Sequence, residues 1–241
     1  MYHEYIFKPL YNGLMFLFDT LPWIDAGVAV ILFTCIVKLA LFPLSKKAII
    51  TQARMKEIQP EMEAIQKKYK DDKQALSLAT FDLYKKKQVN PFSSIVLIFI
   101  QLPILWALYS IFVRSGLPTV NTELLYSFVQ VPVINMNFLS LLDITGKSLI
   151  LSVIAAVAQY YQIKYAFGKV PEKKENPSFQ DDFARTMSLQ MKYIFPIMVL
   201  VISYTTSGVI AIYWTISSLF TLAQEIYVKK HLIPSNQQTT N

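Results

Sequence analysis

The chain has 241 residues, of which 54% are apolar, 14% aromatic and 16% charged, with a net charge of +7. Soluble domains carry about 25% charged residues, so this composition excludes an ordinary water-soluble globule and points to a protein that sits in a membrane. The basic residues gather between apolar runs instead of covering one face, so an anionic lipid surface accounts for them ahead of nucleic acid. The single cysteine, Cys35, excludes an intrachain disulfide framework and a thiolate metal site.

Residues 1–24, MYHEYIFKPLYNGLMFLFDTLPWI, mix aromatic and aliphatic side chains with Glu4, Lys8, Asn12 and Asp19, and Pro9 interrupts them. This predicts an amphipathic segment lying at the outer interface, not a span. The first continuous apolar run covers 26–44, close to the roughly 20 residues that cross about 30 Å of hydrocarbon. Residues 45–90 are rich in Lys, Glu and Gln, with Met55, Ile58, Met62 and Ile65 at helical spacing. They predict two helices in a polar hairpin, broken near YKDDK, with Pro60 starting or kinking a turn.

A second span is predicted over 92–113, followed by a connection of short interfacial pieces over 114–147 and a third span over 149–167. A charged loop follows over 168–192. The apolar stretch 193–228 is too long for one crossing, since at 1.5 Å per residue it would extend over about 50 Å. It is predicted to split at SYTTSG, with Gly208 ending a helix, into spans over 193–207 and 209–228. Lys and Arg concentrate in 45–90, 168–192 and the short tail 229–241, which predicts the N-terminus outside and the C-terminus in the cytoplasm.

Lys38 is the anomaly in this pattern. It lies within the first span, where a charge costs roughly 2.5–3.5 kcal/mol on insertion scales. Three arrangements would accommodate it: snorkelling to the interface, an ion pair with Glu225, or a water-filled cavity. Thr34 is one turn away on the same face, and Gln101, Gln159, Thr215, Ser217 and Ser218 lie within other spans. Each alone reads as a helix-packing hydrogen bond; with the lysine they favour a hydrophilic pocket.

Four ordered blocks, VKLALFPLSKKA, MKEIQPEMEAIQKKYKDDKQ, DLYKKKQVNPFSSIVLIFIQLPILWALY and GVIAIYWTISSLFTLAQ, resemble the YidC membrane-insertase family with its mitochondrial and chloroplast relatives. The resemblance covers about 20–230. It implies an all-α polytopic membrane protein in which five transmembrane helices surround a hydrophilic groove open to the cytosol, with a cytoplasmic helical hairpin. It implies a groove charge at Lys38, where the family usually has arginine, and groove contacts from Thr34, Leu102, Leu105 and Tyr213, with Gln159 a further correspondence. Lysine keeps the charge but loses the bidentate fork of arginine. NPFSS, where the family often has glycines, and YTTSG, in place of a more apolar turn, are further departures.

The resemblance also implies a function without bond-making chemistry: moving nascent hydrophobic segments from the cytosol into the bilayer of a bacterial plasma membrane. Nascent membrane proteins and lipid are the implied partners, and the hairpin would receive a Sec translocon, ribosome or signal-recognition machinery. No cofactor, metal or specific nucleic-acid site is expected. His3 and His231 stand near the ends of the chain, and neither HExxH nor a Gly-rich phosphate loop occurs. A small-solute transporter or channel using Lys38 and a passive assembly scaffold are the competing readings. Against the transporter, no inverted repeat is visible.

Overall fold

A computed structural model describes residues 2–70, 72–90, 93–114, 117–168, 170 and 179–232. Part of the predicted 168–192 loop and the tail beyond Leu232 lie outside these. The chain divides into two compact units, one of Met1–Ala40 and Leu102–Ala223, the other of Leu41–Gln101 and Gln224–Asn241.

In the first unit a π-helical turn, His3–Phe7, runs without a break into α1, Lys8–Thr20. The interruption expected at Pro9 is absent. The proline falls in the first two positions of α1, where a missing N–H costs little, and the wide turn before it accommodates the ring. The same device recurs where the π-helical turn Gln190–Ile194 leads into α9, Phe195–Thr205, with Pro196 at its start.

One face of α1 is packed down: Tyr11, Asn12, Leu14, Met15 and Phe18 are buried. Asn12 explains part of this. Its Nδ2 donates to the Leu124 carbonyl at 2.8 Å and its Oδ1 accepts from the Tyr126 N–H at 2.6 Å, so one side chain satisfies both kinds of backbone group in the irregular segment above it. The Tyr11 hydroxyl accepts from the Asn121 N–H at 2.9 Å.

The stretch predicted as the first span begins as α2, Ala26–Ala40. Asp25 caps it, one carboxylate oxygen accepting from Val28 N–H and the other from Leu139 N–H, each at 2.9 Å. The second contact ties α2 to an antiparallel hairpin of β1, Asn137–Phe138, and β2, Leu142–Asp143, in which Phe138 pairs with Leu142. Gly27 is required there, because a Cβ would stand 2.2 Å from the Phe138 ring. The predicted interfacial pieces therefore include a small strand pair pinned to the start of the first span.

α2 stops at Ala40, short of the expected Leu44. Leu41 breaks the helix, and Pro43 sits in the opening positions of α3, Phe42–Glu57, where proline is tolerated. The stretch predicted as the second span is helical as α6, Ser93–Tyr109, continued by a π-helical turn, Ser110–Arg114. α7, Leu149–Phe167, matches the predicted third span and is capped by Ser148, whose side chain accepts from Leu151 N–H at 3.4 Å.

The second half of the predicted 168–192 loop is helical instead: α8, Phe179–Leu189, runs through its π-helical turn into α9. The break at SYTTSG is present, but Gly208 opens α10, Gly208–His231, and does not close α9. Its N–H donates to the Gly146 carbonyl at 2.8 Å, and a Cβ would lie 3.1 Å from Ile144 Cα. α10 also takes in the first three residues of the predicted tail.

α7 packs on α9. Outside that contact they leave apolar stripes exposed, among them Ile150, Val153, Ile154 and Val157 on α7 and Ile197, Met198 and Val201 on α9. Such stripes are out of place in water and ordinary against lipid tails. Arg185–Thr205 and Gly208–His231 are long and apolar enough to cross a membrane, and a third span results if α2 and α3 count as one. The protein is an all-α membrane protein.

The second unit contains the hairpin expected over 45–90. α4, Gln59–Lys68, follows α3 after a break at Ile58, with Pro60 in its first turn, and α5, Lys73–Lys87, packs back on α4. Asp72 caps α5 by accepting from Gln74 and Ala75 N–H, both at 3.0 Å. Ile58, Leu83 and Val89 form the hairpin core, with Met55, Met62, Ile65 and Tyr84 packed on it; burial pushes the Tyr84 phenol pKa up. All four apolar residues read at helical spacing therefore point into this small core. Lys87 pairs with Glu61 across the two arms.

Candidate functional site

Lys38 lies in the last turn of α2 because the helix ends at Ala40. The carbonyls of a helix C-terminus carry partial negative charge, which stabilises a nearby cation by about 0.3–1 kcal/mol, and by up to about 2 kcal/mol where partly buried. Part of the cost that made this residue anomalous is met by where its helix stops.

A second contribution comes from across the helix interface. Lys38 Nζ donates to Thr221 Oγ1 at 3.1 Å, and Thr221 Oγ1 donates to the Ser217 carbonyl at 2.8 Å. Ser217 in turn shares a side-chain hydrogen bond with Tyr213. Tyr213, Ser217 and Thr221 are spaced by four, so they form one polar stripe on α10 facing the lysine. The ammonium thus points to a neighbouring helix, which a snorkelling lysine would not do. Glu225, the acid considered as its partner, belongs to the other unit, where it is 3% exposed and pairs with Lys229 at 3.6 Å.

Phe33, Thr34, Val37, Lys38, Ile104 and Tyr213 line a crevice with about 210 Å³ of free space, its open mouth included. Three of the predicted site residues, Lys38, Thr34 and Tyr213, therefore come together. The lining is mostly apolar and too narrow for a water molecule, in contrast to the wet pocket expected from the polar residues. The polar groups are instead turned to protein: Thr34 Oγ1 donates to the Val30 carbonyl at 2.6 Å and Thr215 Oγ1 to the Ala211 carbonyl at 2.8 Å.

Four predicted residues fall elsewhere. Leu102 is exposed and Leu105 half-buried on α6, and it is Ile104 that reaches the crevice. Gln101 is half-buried in the second unit. Gln159 is committed to a clasp between α7 and α10. Its Oε1 accepts from Trp214 Nε1 at 3.0 Å and from Ser218 Oγ at 2.9 Å, while its Nε2 donates to Gln162 Oε1 at 2.8 Å. All of Gln159, Trp214 and Ser218 are buried.

Thr221 and Ile104 were missed by sequence reasoning. Thr221 was within reach of it, because the four-residue spacing from Tyr213 through Ser217 leads to it. Ile104 carries no such signal in a helix that is apolar all round. Among the described residues, no group of three or more His, Cys, Asp or Glu could hold a metal ion.

An all-helical membrane protein that keeps a lysine between its helices, bound to a polar stripe, is the class that fold and site define. The model of the 60Kd inner membrane protein family matches residues 17–236. The chain is 30% identical over 229 residues to a Fusobacterium nucleatum protein named membrane protein insertase YidC, covering 94% of this chain and 98% of that one. A Clostridium tetani protein of the same name is 35% identical over 211 residues, covering 88% and 84%. A third, from Citrifermentans bemidjiense, is 29% identical over 227 residues, and the match takes in 37% of that longer protein. This chain belongs to the 60Kd inner membrane protein family.

Proposed function

We propose that the chain is a membrane-protein insertase, which takes nascent hydrophobic segments from the cytosol and passes them into the bilayer. Lys38 held on Thr221, with Thr34 and Tyr213 in the same crevice, is the observation that carries the reading. A lysine that donates to a neutral hydroxyl can exchange that partner for a carboxylate, and a charged acceptor makes the stronger bond. An acidic tail entering between α2 and α10 would displace Thr221 and part the narrow crevice into a groove.

The proposed sequence needs no bond-making chemistry. The polar tail follows the groove, and the hydrophobic stretch behind it slides along α6, past the exposed Leu102 and the half-buried Leu105, into lipid. Removal of apolar surface from water drives the step at about 25 cal/mol per Å². Five spans around a cytosol-open groove, an outer N-terminus, a cytoplasmic C-terminus and residence in a bacterial inner membrane complete this reading. The 45–90 hairpin, with its own small core, would be the part that meets a translocon, ribosome or targeting factor.

The test is an insertion assay in liposomes, with a single-span client bearing an acidic tail and protease protection as the readout. Wild type and Lys38→Arg are expected to insert the client, and Lys38→Gln and Lys38→Glu to lose most of that activity. Equal insertion by all four proteins refutes a role for the charge, and no insertion above empty vesicles refutes the function.

A further inference from the structure

The segment between α6 and α7 is unlike a soluble loop. No charged residue occurs between Glu123 and Asp143, although the stretch is long enough to carry several. Its apolar residues also divide by direction. Val129, Ile134 and Ile144 are buried, whereas Val133 is 92% exposed, Leu141 85% and Phe128 67%. Asn12 and Asp25 hold the segment on α1 and α2 through its backbone, so the outward set is not the product of a loose chain.

Three contacts gather the exposed residues at one end of the first unit. The Phe128 ring stands 6.4 Å from that of Phe16 on α1. The bond from Leu139 N–H to Asp25, together with Ala26 N–H donating to the Asn135 carbonyl at 2.8 Å, brings the tip of the β1–β2 hairpin to the start of α2, beside Trp23, which is 80% exposed.

The tip itself is locally disfavoured. Leu139 and Ser140 both have left-handed backbones, with φ of 51° and 58°, positions that Asn and Gly fill at low cost and that Leu does not. A leucine placed on such a backbone and 57% exposed loses on both counts in water. Against an apolar surface the second loss becomes a gain.

We propose that Phe128, Val131, Val133, Leu139 and Leu141, with Trp23 beside them, form a surface that beds in the headgroup–acyl boundary of the bilayer. Lipid is the occupant because the patch is continuous with the membrane: it joins α6 to α7 and adjoins the first residues of α2, all apolar helices. The absence of charge suits the boundary, and an exposed tryptophan is characteristic of it. The surface would fix the depth of α1 and of the start of α2 independently of any client, and the inference stands whether or not the chain inserts proteins.

The experiment places a nitroxide label at Val133→Cys or Leu141→Cys, each with Cys35→Ser, in vesicles of phosphatidylethanolamine and phosphatidylglycerol. Collision rates with oxygen and with a water-soluble nickel chelate are compared. Glu123→Cys supplies the aqueous reference and Leu39→Cys the lipid reference on α2. The oxygen-to-nickel ratio is expected to be several-fold higher at both test sites than at position 123. Either site at the position 123 value overturns the proposal, as does spin–spin broadening removed by dilution with unlabelled protein, which would assign the patch to a second copy. Leu139→Gly, which suits the turn, should preserve the hairpin while moving the label at 141 toward water. An unchanged ratio there overturns the role given to Leu139.

Discussion

Replacing Gln159 by leucine separates a structural glutamine from a groove glutamine. The substitution keeps volume and removes the oxygen that accepts from Trp214 Nε1 and Ser218 Oγ, at 3.0 and 2.9 Å. The two donors respond differently. A serine hydroxyl can rotate to a carbonyl of its own helix, whereas the indole N–H of Trp214 has no such alternative and stays buried without a partner. A stranded buried donor costs about 1–3 kcal/mol, and interhelical hydrogen bonds in membranes contribute about 0.6 kcal/mol on average and up to about 1.7. Gln159→Leu is therefore expected to destabilise the protein by about 1–2 kcal/mol, read by reversible SDS titration in mixed micelles. In a double-mutant cycle with Trp214→Phe, a coupling of about 1 kcal/mol is expected. Zero coupling would falsify the clasp. Insertion per folded molecule should stay near wild type; loss of insertion at unchanged stability would return Gln159 to the client's path.

Three further outcomes follow from close contacts. Gly208→Ala should cost about 1–3 kcal/mol in the same titration, because the new methyl meets the Ile144 backbone at 3.1 Å, which cannot rotate away. Asp25→Ala removes a helix cap and the anchor of Leu139; a loss of about 1–2 kcal/mol, with faster amide exchange at Val28 and Leu139, is expected, and unchanged exchange would refute both contacts. Ile58→Ala empties the centre of the hairpin core, for which about 2 kcal/mol is expected, seen as faster hydrogen exchange across α4 and α5 while α7 keeps its protection.

Much of the architecture was legible because lipid imposes simple rules. The helix α7 and the break before Gly208 followed from apolar length and a Ser-Gly pair. The hairpin core was visible as Met55, Ile58, Met62 and Ile65 at one spacing. Proline was the weak point: Pro9 was read through its helix-breaking tendency, but it sits at a helix start behind a π-helical turn, where that tendency is not expressed. The helical course of 179–192 was hidden by its charge, which says where a segment sits relative to lipid and little about its backbone.

The site divides along the same line. That Lys38 needs compensation, and that Thr34 and Tyr213 belong near it, could be argued from one sequence and its resemblance. Which groups compensate it could not. The end of α2 at Ala40, the stripe that places Thr221 under the ammonium, the choice of Ile104 over Leu102 and the commitment of Gln159 to Trp214 all depend on how helices distant in sequence are rotated against one another. Periodicity fixes which residues share a face of a helix. Which face meets which neighbour is set by side-chain packing between helices, and only the tertiary structure contains it.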